Sequence, residues 1–246
     1  MEIRHFGVGG RLSECKRLLC ERLGNDSGKL LLLPIPSTRD NKYINGTAVE
    51  IGDVVAMIDE GCDIVGYNIP EIITDRARKV GARVYDAGLD EEFLSDNAEL
   101  TARGAIGYIM THYQRDLSDM RVGVVGYGRI GMRLVRWLLL FGADLIVYTR
   151  REALALELCE AGISARTLWD ADFSGLDILI NTTPKRQICE GELDPTTDII
   201  DLASGISFDP SERLIRLASV PESFYPITSG RLYAEAAIRG LGGEGV

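Results

Sequence analysis

Short apolar runs alternate with amphipathic stretches along almost the whole chain. Residues 3–8, 30–33, 63–67 and 82–85 read as strands, and residues 12–23, 49–60 and 71–80 recur at helical spacing. Asp96 with Glu99 three residues later forms a capping-box pattern, which predicts a long helix running to about Tyr113. Beyond it, residues 122–125 form an apolar strand. Ile130, Leu134, Trp137, Leu138 and Phe141 then mark one face of a helix that Gly142 ends, and residues 144–148 read as the next strand. Residues 152–161 are expected to be helical, 177–180 and 198–202 buried strands, 228–239 a final helix, and 240–246 a frayed tail. This alternation predicts an α/β protein of two α/β domains. The first is expected over 1–96, completed by the C-terminal helix 228–246. The second, 97–227, holds the linking helix and a Rossmann-type doubly wound parallel sheet.

Between the strand at 122–125 and its helix lies Gly126-Tyr127-Gly128-Arg129-Ile130-Gly131. A lone G-x-G-x-x-G is a weak signal, but here the strand, the helix and the second strand are all present. Gly126 permits the tight turn, Gly128 lets backbone approach a pyrophosphate, and Gly131 lets the helix pack on the sheet. The amides opening that helix then suit a phosphate. A site for NAD usually carries Asp or Glu about 20 residues past the glycines, for the ribose 2′-hydroxyl. Thr149, Arg150 and Arg151 stand there instead. A guanidinium pairs with phosphate through parallel N–H donors, so the expected cofactor is NADP. The plainer alternative is that both arginines merely solvate the start of the next helix.

Composition narrows the class. With 246 residues, 46% of them hydrophobic, the chain can bury a substantial core. A net charge of −10 without a basic cluster excludes a nucleic-acid partner. Cys15, Cys20, Cys62, Cys159 and Cys189 show neither CxxC pairing nor an even count, which predicts reduced thiols and a cytoplasmic location. The first residues lack a signal peptide's apolar region, and no apolar run approaches the roughly 20 residues of a membrane helix. No metal site is read, and assembly with copies of itself is expected.

In open α/β sheets ligands bind beyond the carboxyl ends of strands. Four such segments stand out: Pro34 to Asp40, the glycine turn, Asn181-Thr182-Thr183-Pro184, and Asp201-Leu202-Ala203-Ser204. Ser37, Thr38 and Arg39 put a guanidinium beside two hydroxyls, a combination that holds a carboxylate. The alternative is a turn with Arg39 paired to Asp40 in solvent. Thr228, Ser229 and Gly230 open the last helix and offer their amides as a second anion site, or an ordinary cap.

The order of these segments resembles the A-subunit family of the dipicolinate synthases, two-domain relatives of the D-2-hydroxyacid dehydrogenases. The resemblance rests on Leu33-Pro34-Ile35-Pro36-Ser37-Thr38, Thr101-Ala102-Arg103-Gly104 with His112 following, and Val125 to Met132. It continues through Ile180 to Pro184, Ile200-Asp201-Leu202-Ala203-Ser204 and Pro226-Ile227-Thr228-Ser229-Gly230. It implies a dehydrogenase that oxidises a tetrahydrodipicolinate-type intermediate to dipicolinate with NADP, a partner in the form of a flavoprotein-like B subunit, and a tie to spore formation. It also implies that Thr101 belongs to the substrate side, that Thr182, Thr183 and Pro184 border the nicotinamide ribose, and that Leu202, Ala203 and Ser204 line the nicotinamide face. His112 matches a family histidine on the linking helix, near the expected cleft, where it would serve as base or carboxylate anchor. A helix-end histidine bonded to a carbonyl is the competing reading.

The chain departs from that family on the substrate side. Its Thr-x-Glu-Gly is Thr101-Ala102-Arg103-Gly104, its Pro-Gly-Gly is Gly205-Ile206-Ser207, its Gly-Leu-Pro-Gly loop is Pro221-Glu222-Ser223-Phe224, and its lysine is Ile227. Two other functions therefore stay open: a diverged NADP-dependent dehydrogenase of another small acid, of shikimate or 2-hydroxy-acid type, and an NADP-binding sensor or subunit without turnover.

Overall fold

The computed structural model describes residues 2–23, 28–184, 188, 190–203, 208–209 and 211–242. They form two compact units, Met1–Asn97 with Glu222–Val246, and Ala98–Pro221. The first unit contains β1 (Glu2–His5), α1 (Gly10–Leu23), β2 (Lys29–Leu32), α2 (Ile51–Ala56), β3 (Cys62–Gly66), α3 (Glu71–Val80) and β4 (Arg83–Asp86). Helix α4 (Glu91–His112) runs from it into the second unit. There follow β5 (Arg121–Val125), α5 (Arg129–Leu140), β6 (Asp144–Thr149), α6 (Glu152–Glu160), β7 (Ala165–Thr167), β8 (Ile178–Asn181), β9 (Asp198–Asp201) and β10 (Leu214–Arg216). Helix α7 (Val220–Phe224) returns the chain to the first unit, which α8 (Pro226–Gly240) completes.

The first unit is a four-stranded parallel sheet in the order β1-β2-β3-β4. Its central strands β2 and β3 are buried on both faces, which is why they read as apolar runs, while the edge strands β1 and β4 alternate with exposed residues. Leu30 and Leu32 pack with Leu12, Leu19 and Tyr233 of α1 and α8. Leu31 and Leu33 face the other way, against Ile51, Val54 and Ile73 of α2 and α3. The second unit repeats this logic with six parallel strands in the order β10-β9-β8-β5-β6-β7. Val122, Val124, Ile178 and Ile180 meet Leu134 and Leu138 of α5 on one face, while Val125, Leu179 and Ile199 meet Phe173 and Phe208 on the other.

The boundaries differ from the sequence pattern where backbone geometry intervenes. Strand β1 ends at His5 rather than Val8, because Gly7 and Gly9 take φ of 93° and 141° and turn the chain out of the sheet. Helix α2 has six residues, half the length that periodicity suggested. Strands β7 and β10 escape the pattern altogether; each is a three-residue edge of the second sheet. Helix α4 begins at Glu91, so Asp96 and Glu99 lie in its interior instead of capping it. The cap is Asp90, whose carboxylate accepts the Phe93 amide at 3.0 Å.

Asp90 also accepts the Tyr85 hydroxyl at 2.6 Å, with Arg239 at 3.7 Å. Burial pushes its carboxyl up, but the Tyr85 hydroxyl, the Phe93 amide and Arg239 together hold it below the usual range. A folded-state value below the unfolded one stabilises the fold above the ordinary carboxylate pKa, and that contribution is lost as pH falls through the lowered value. Asp90→Asn keeps an N-cap acceptor, so it is expected to flatten the loss of stability between neutral and acid pH in urea titrations. Asp90→Ala is expected to cost about 1 kcal/mol at neutral pH besides. An unchanged acid slope in Asp90→Asn would show that Asp90 is not a source of it.

Candidate dinucleotide site

The second sheet reverses direction at its centre. From β5 the chain builds outward through β6 and β7, then returns to add β8, β9 and β10 on the other side, which makes the β5/β8 junction a topological switch point. Two turns meet there. Gly126, at φ 93°, donates its amide to Tyr148 O at 2.9 Å, and Thr182 bonds the Val125 carbonyl through both its amide (3.0 Å) and its hydroxyl (2.8 Å). A Cβ on Gly126 would lie 2.6 Å from Thr183 Cγ2 and 2.7 Å from Thr182 Oγ1, and one on Gly131 would overlap the Gly126 carbonyl oxygen. Gly128 differs, since a Cβ there would meet open space. It is also the N-cap of α5 and has no side chain to cap with. The first amides of any α-helix lack a partner within the helix, so this terminus is open to an anion.

The cleft beside these turns has a volume of about 320 Å³. Gly126, Tyr127 and Gly128 line it from the glycine turn, Tyr148, Thr149, Arg150 and Arg151 from the end of β6, and Thr182, Thr183 and Pro184 from the end of β8, with Leu168 opposite. Residues far apart in sequence are thus brought around one opening. Thr149 is buried and its hydroxyl accepts the Arg151 amide at 3.2 Å, which fixes the turn, while both arginine side chains reach solvent. Arg129 and Ile130 are not among the lining residues. Arg129 is exposed on the first turn of α5, and Ile130 packs half-buried on the core.

The first residues of two strand-end segments, Asn181 and Asp201, form a polar pair that sequence spacing does not reveal. Asn181 and Asp201 are register partners at the ends of β8 and β9, both almost fully buried. The Asn181 amide donates to Asp201 Oδ1 at 2.8 Å and to the Thr183 carbonyl at 2.9 Å, and its oxygen accepts the Thr183 hydroxyl at 2.9 Å. Asp201 also accepts the Ala203 amide at 3.2 Å. One side chain therefore shapes both loops. Leu202 is buried and Ala203 half-buried behind them; Ser204 lies outside the described residues.

The residues expected on the substrate side are placed more unevenly. Ser37 is fully buried, its hydroxyl accepting the Tyr67 amide at 2.9 Å, and Thr38 accepts the Asn41 amide at 3.0 Å. Arg39 is exposed, on a cavity of about 600 Å³ lined by residues 39–40 and 43–48. The Arg39–Asp40 pair considered above does not form; Asp40 is held below the usual carboxylate range by the Tyr43 and Lys42 amides. Thr101 is buried in α4. Helix α8 starts at Pro226, two residues early, so the Ser229 amide is spent on the Tyr225 carbonyl (2.8 Å), while Gly230 packs against α1. Thr228 stands in the open first turn of α8, while the Ser229 and Gly230 amides lie past it; the Ser229 hydroxyl accepts Arg11 Nε at 3.2 Å and donates to the Pro226 carbonyl at 3.3 Å. His112 ends α4 with Nδ1 2.9 Å from the Tyr108 carbonyl and its ring stacked on Tyr108, the helix-end geometry weighed against a catalytic one. The reversed charge at Arg103 is absorbed by Glu99 at 2.8 Å and by the Trp137 ring.

Fold and cleft together are those of a Rossmann-type α/β protein, and residues 98–194 match the family model described as the D-isomer specific 2-hydroxyacid dehydrogenase, NAD binding domain. The particular protein that the chain resembles is the A chain of dipicolinate synthase. It is 28% identical to that protein of Bacillus subtilis (strain 168) over 150 residues, 56% of this chain and 50% of the relative, so the match spans about half of the relative's length. The crystal structure of its counterpart from Bacillus halodurans superposes with a TM-score of 0.79 at 20% identity, covering 99% of this chain and 98% of that one. The Bacillus subtilis structure gives 0.78 at 19% identity, covering 98% and 95%. Among the described residues no helix is long and apolar enough to cross a membrane.

Proposed function

We propose that the chain is an NADP-dependent oxidoreductase that works with a partner B subunit and oxidises a tetrahydrodipicolinate-type intermediate to dipicolinate in the cytoplasm. The observation that carries the cofactor choice is the exposed Arg150 and Arg151 at the rim of the cleft that Gly126, Gly128 and Thr182 also line. No carboxylate is among the described residues that line this cleft; the first after β6 is Glu152, exposed at the start of α6. In this reading the α5 terminus holds the pyrophosphate, Arg150 and Arg151 the 2′-phosphate, and Thr182, Thr183 and Pro184 the nicotinamide ribose. NADP would supply the hydride acceptor, one molecule per hydride: a tetrahydropyridine ring loses two hydrides and two protons on the way to the aromatic ring, or one of each and a water where it carries a hydroxyl. For the accompanying proton, His112 has its Nδ1 tied to the Tyr108 carbonyl, which leaves Nε2 to accept. Calorimetric titration with NADPH and with NADH, each with and without dipicolinate, tests the reading. Preferential NADPH binding strengthened by dipicolinate supports it. NADPH binding indifferent to dipicolinate transfers the site to another small acid or to a sensor, and equal binding of both nucleotides removes the 2′-phosphate assignment.

A further inference from the structure

The first unit has its own glycine-rich turn between a strand and a helix, Gly7-Val8-Gly9-Gly10, and it leads into a buried cation. Arg11 is 4% exposed. Its Nε donates to the Ser229 hydroxyl at 3.2 Å and lies 3.4 Å from Glu222 Oε2, and its backbone amide donates to Glu222 Oε1 at 3.2 Å. Among the described residues Nη1 and Nη2 donate to nothing. A guanidinium presents five donors in a planar fork. Among the described residues Ser211 Oγ alone is a fully buried side-chain polar atom without a partner, so the Arg11 Nη groups keep a narrow contact with solvent through which a ligand can reach them. Glu222 thus occupies the start of α1 and one edge of the guanidinium as a bound carboxylate would. Its side chain is 30% exposed, so it has a way out to solvent. The glycines make room for this: a Cβ on Gly9 would overlap the Glu222 carboxylate, and one on Gly10 would lie 2.6 Å from Pro226 Cβ. Glu222 also belongs to the Pro221–Phe224 segment in which the sequence departs from the family it resembles.

We propose that Arg11, held in place by the Ser229 hydroxyl, and the first amides of α1 form a carboxylate-binding site in which Glu222 is the resident occupant, displaced when a small dicarboxylic acid binds. The incoming carboxylate takes the Nη donors bidentately, and Glu222 swings into solvent. In its choice of acid the inference rests on the proposed function.

The test is titration of dipicolinate into the full chain, its Glu222→Gln variant and its Arg11→Lys variant, with amide spectra of the unaltered protein recorded alongside. Glu222→Gln removes the competing charge and is expected to bind dipicolinate about 10-fold more tightly, while Arg11→Lys loses the fork and binds at least about 30-fold more weakly. In the unaltered protein the Gly9, Gly10 and Arg11 amide resonances move on titration, a readout that needs no variant to fold. Dipicolinate binding that leaves those amides unmoved, or that is no tighter in Glu222→Gln, overturns the site. NADPH titrated into the same samples separates the two readings. Intact NADPH binding without the Arg11 and Glu222 effects overturns this inference alone, and lost NADPH binding with those effects present overturns the cofactor reading instead.

Discussion

Gly131→Ala is expected to abolish dinucleotide binding and to weaken the fold together. The added methyl meets the Gly126 carbonyl oxygen, which belongs to the backbone of the turn and cannot rotate aside. Either α5 lifts from the sheet or the turn opens, and both moves disturb the Thr182 bonds to the Val125 carbonyl. Overpacking of this kind costs about 1–3 kcal/mol in unfolding free energy, and NADPH affinity should fall at least about 100-fold. Gly128→Ala separates the two effects. Nothing lies within 4 Å of a Cβ at that position, so this variant should unfold in urea at the same midpoint as the unaltered protein and still bind NADPH poorly, because the methyl fills the approach of the pyrophosphate. If Gly128→Ala bound NADPH normally, the dinucleotide would have to lie elsewhere than on the α5 terminus.

Arg150→Asp should convert the nucleotide preference. A charge-assisted hydrogen bond contributes about 1.5–3 kcal/mol, and placing a carboxylate beside the 2′-phosphate adds repulsion, so NADPH affinity is expected to drop about 100-fold. NADH lacks that phosphate and gains an acceptor for its ribose hydroxyl, so its affinity should stay within about 3-fold. Arg150 is exposed, so the difference should shrink as salt is raised. Paired titrations at low and high ionic strength read both effects. Equal losses for the two nucleotides would mean that Arg150 supports the loop and does not read the phosphate.

What was legible in the chain was whatever a short window of residues specifies. The glycine turn, the helix behind it and the second strand are contiguous, and each glycine answers a local demand: a positive φ at Gly126, open approach at Gly128, contact with backbone at Gly131. The doubly buried strands were equally legible, since a run such as Leu30 to Leu33 has one arrangement that buries both parities. Element ends were less so. Asp96 and Glu99 have the right spacing for a capping box, but a cap forms only where the backbone leaves the helix, and Asp90 holds that position through the Phe93 amide.

Tertiary structure decided which polar groups are still available for chemistry. Ser37 and Thr38 carry the residue types of a carboxylate site, yet the fold buries Ser37 completely and turns the Thr38 hydroxyl proton to Asp40. Asn181 and Asp201 are 20 residues apart, and only the β8/β9 register makes them one buried unit. Arg11, Glu222 and Ser229 are brought together across more than 200 residues by the packing of α1 against α8. Backbone turns and hydrophobic parity are local properties, so the sequence by itself determined the two parallel sheets and the glycine turn. Whether a donor is satisfied depends on neighbours that only the folded chain supplies, and that is why the structure alone showed the unspent guanidinium of Arg11.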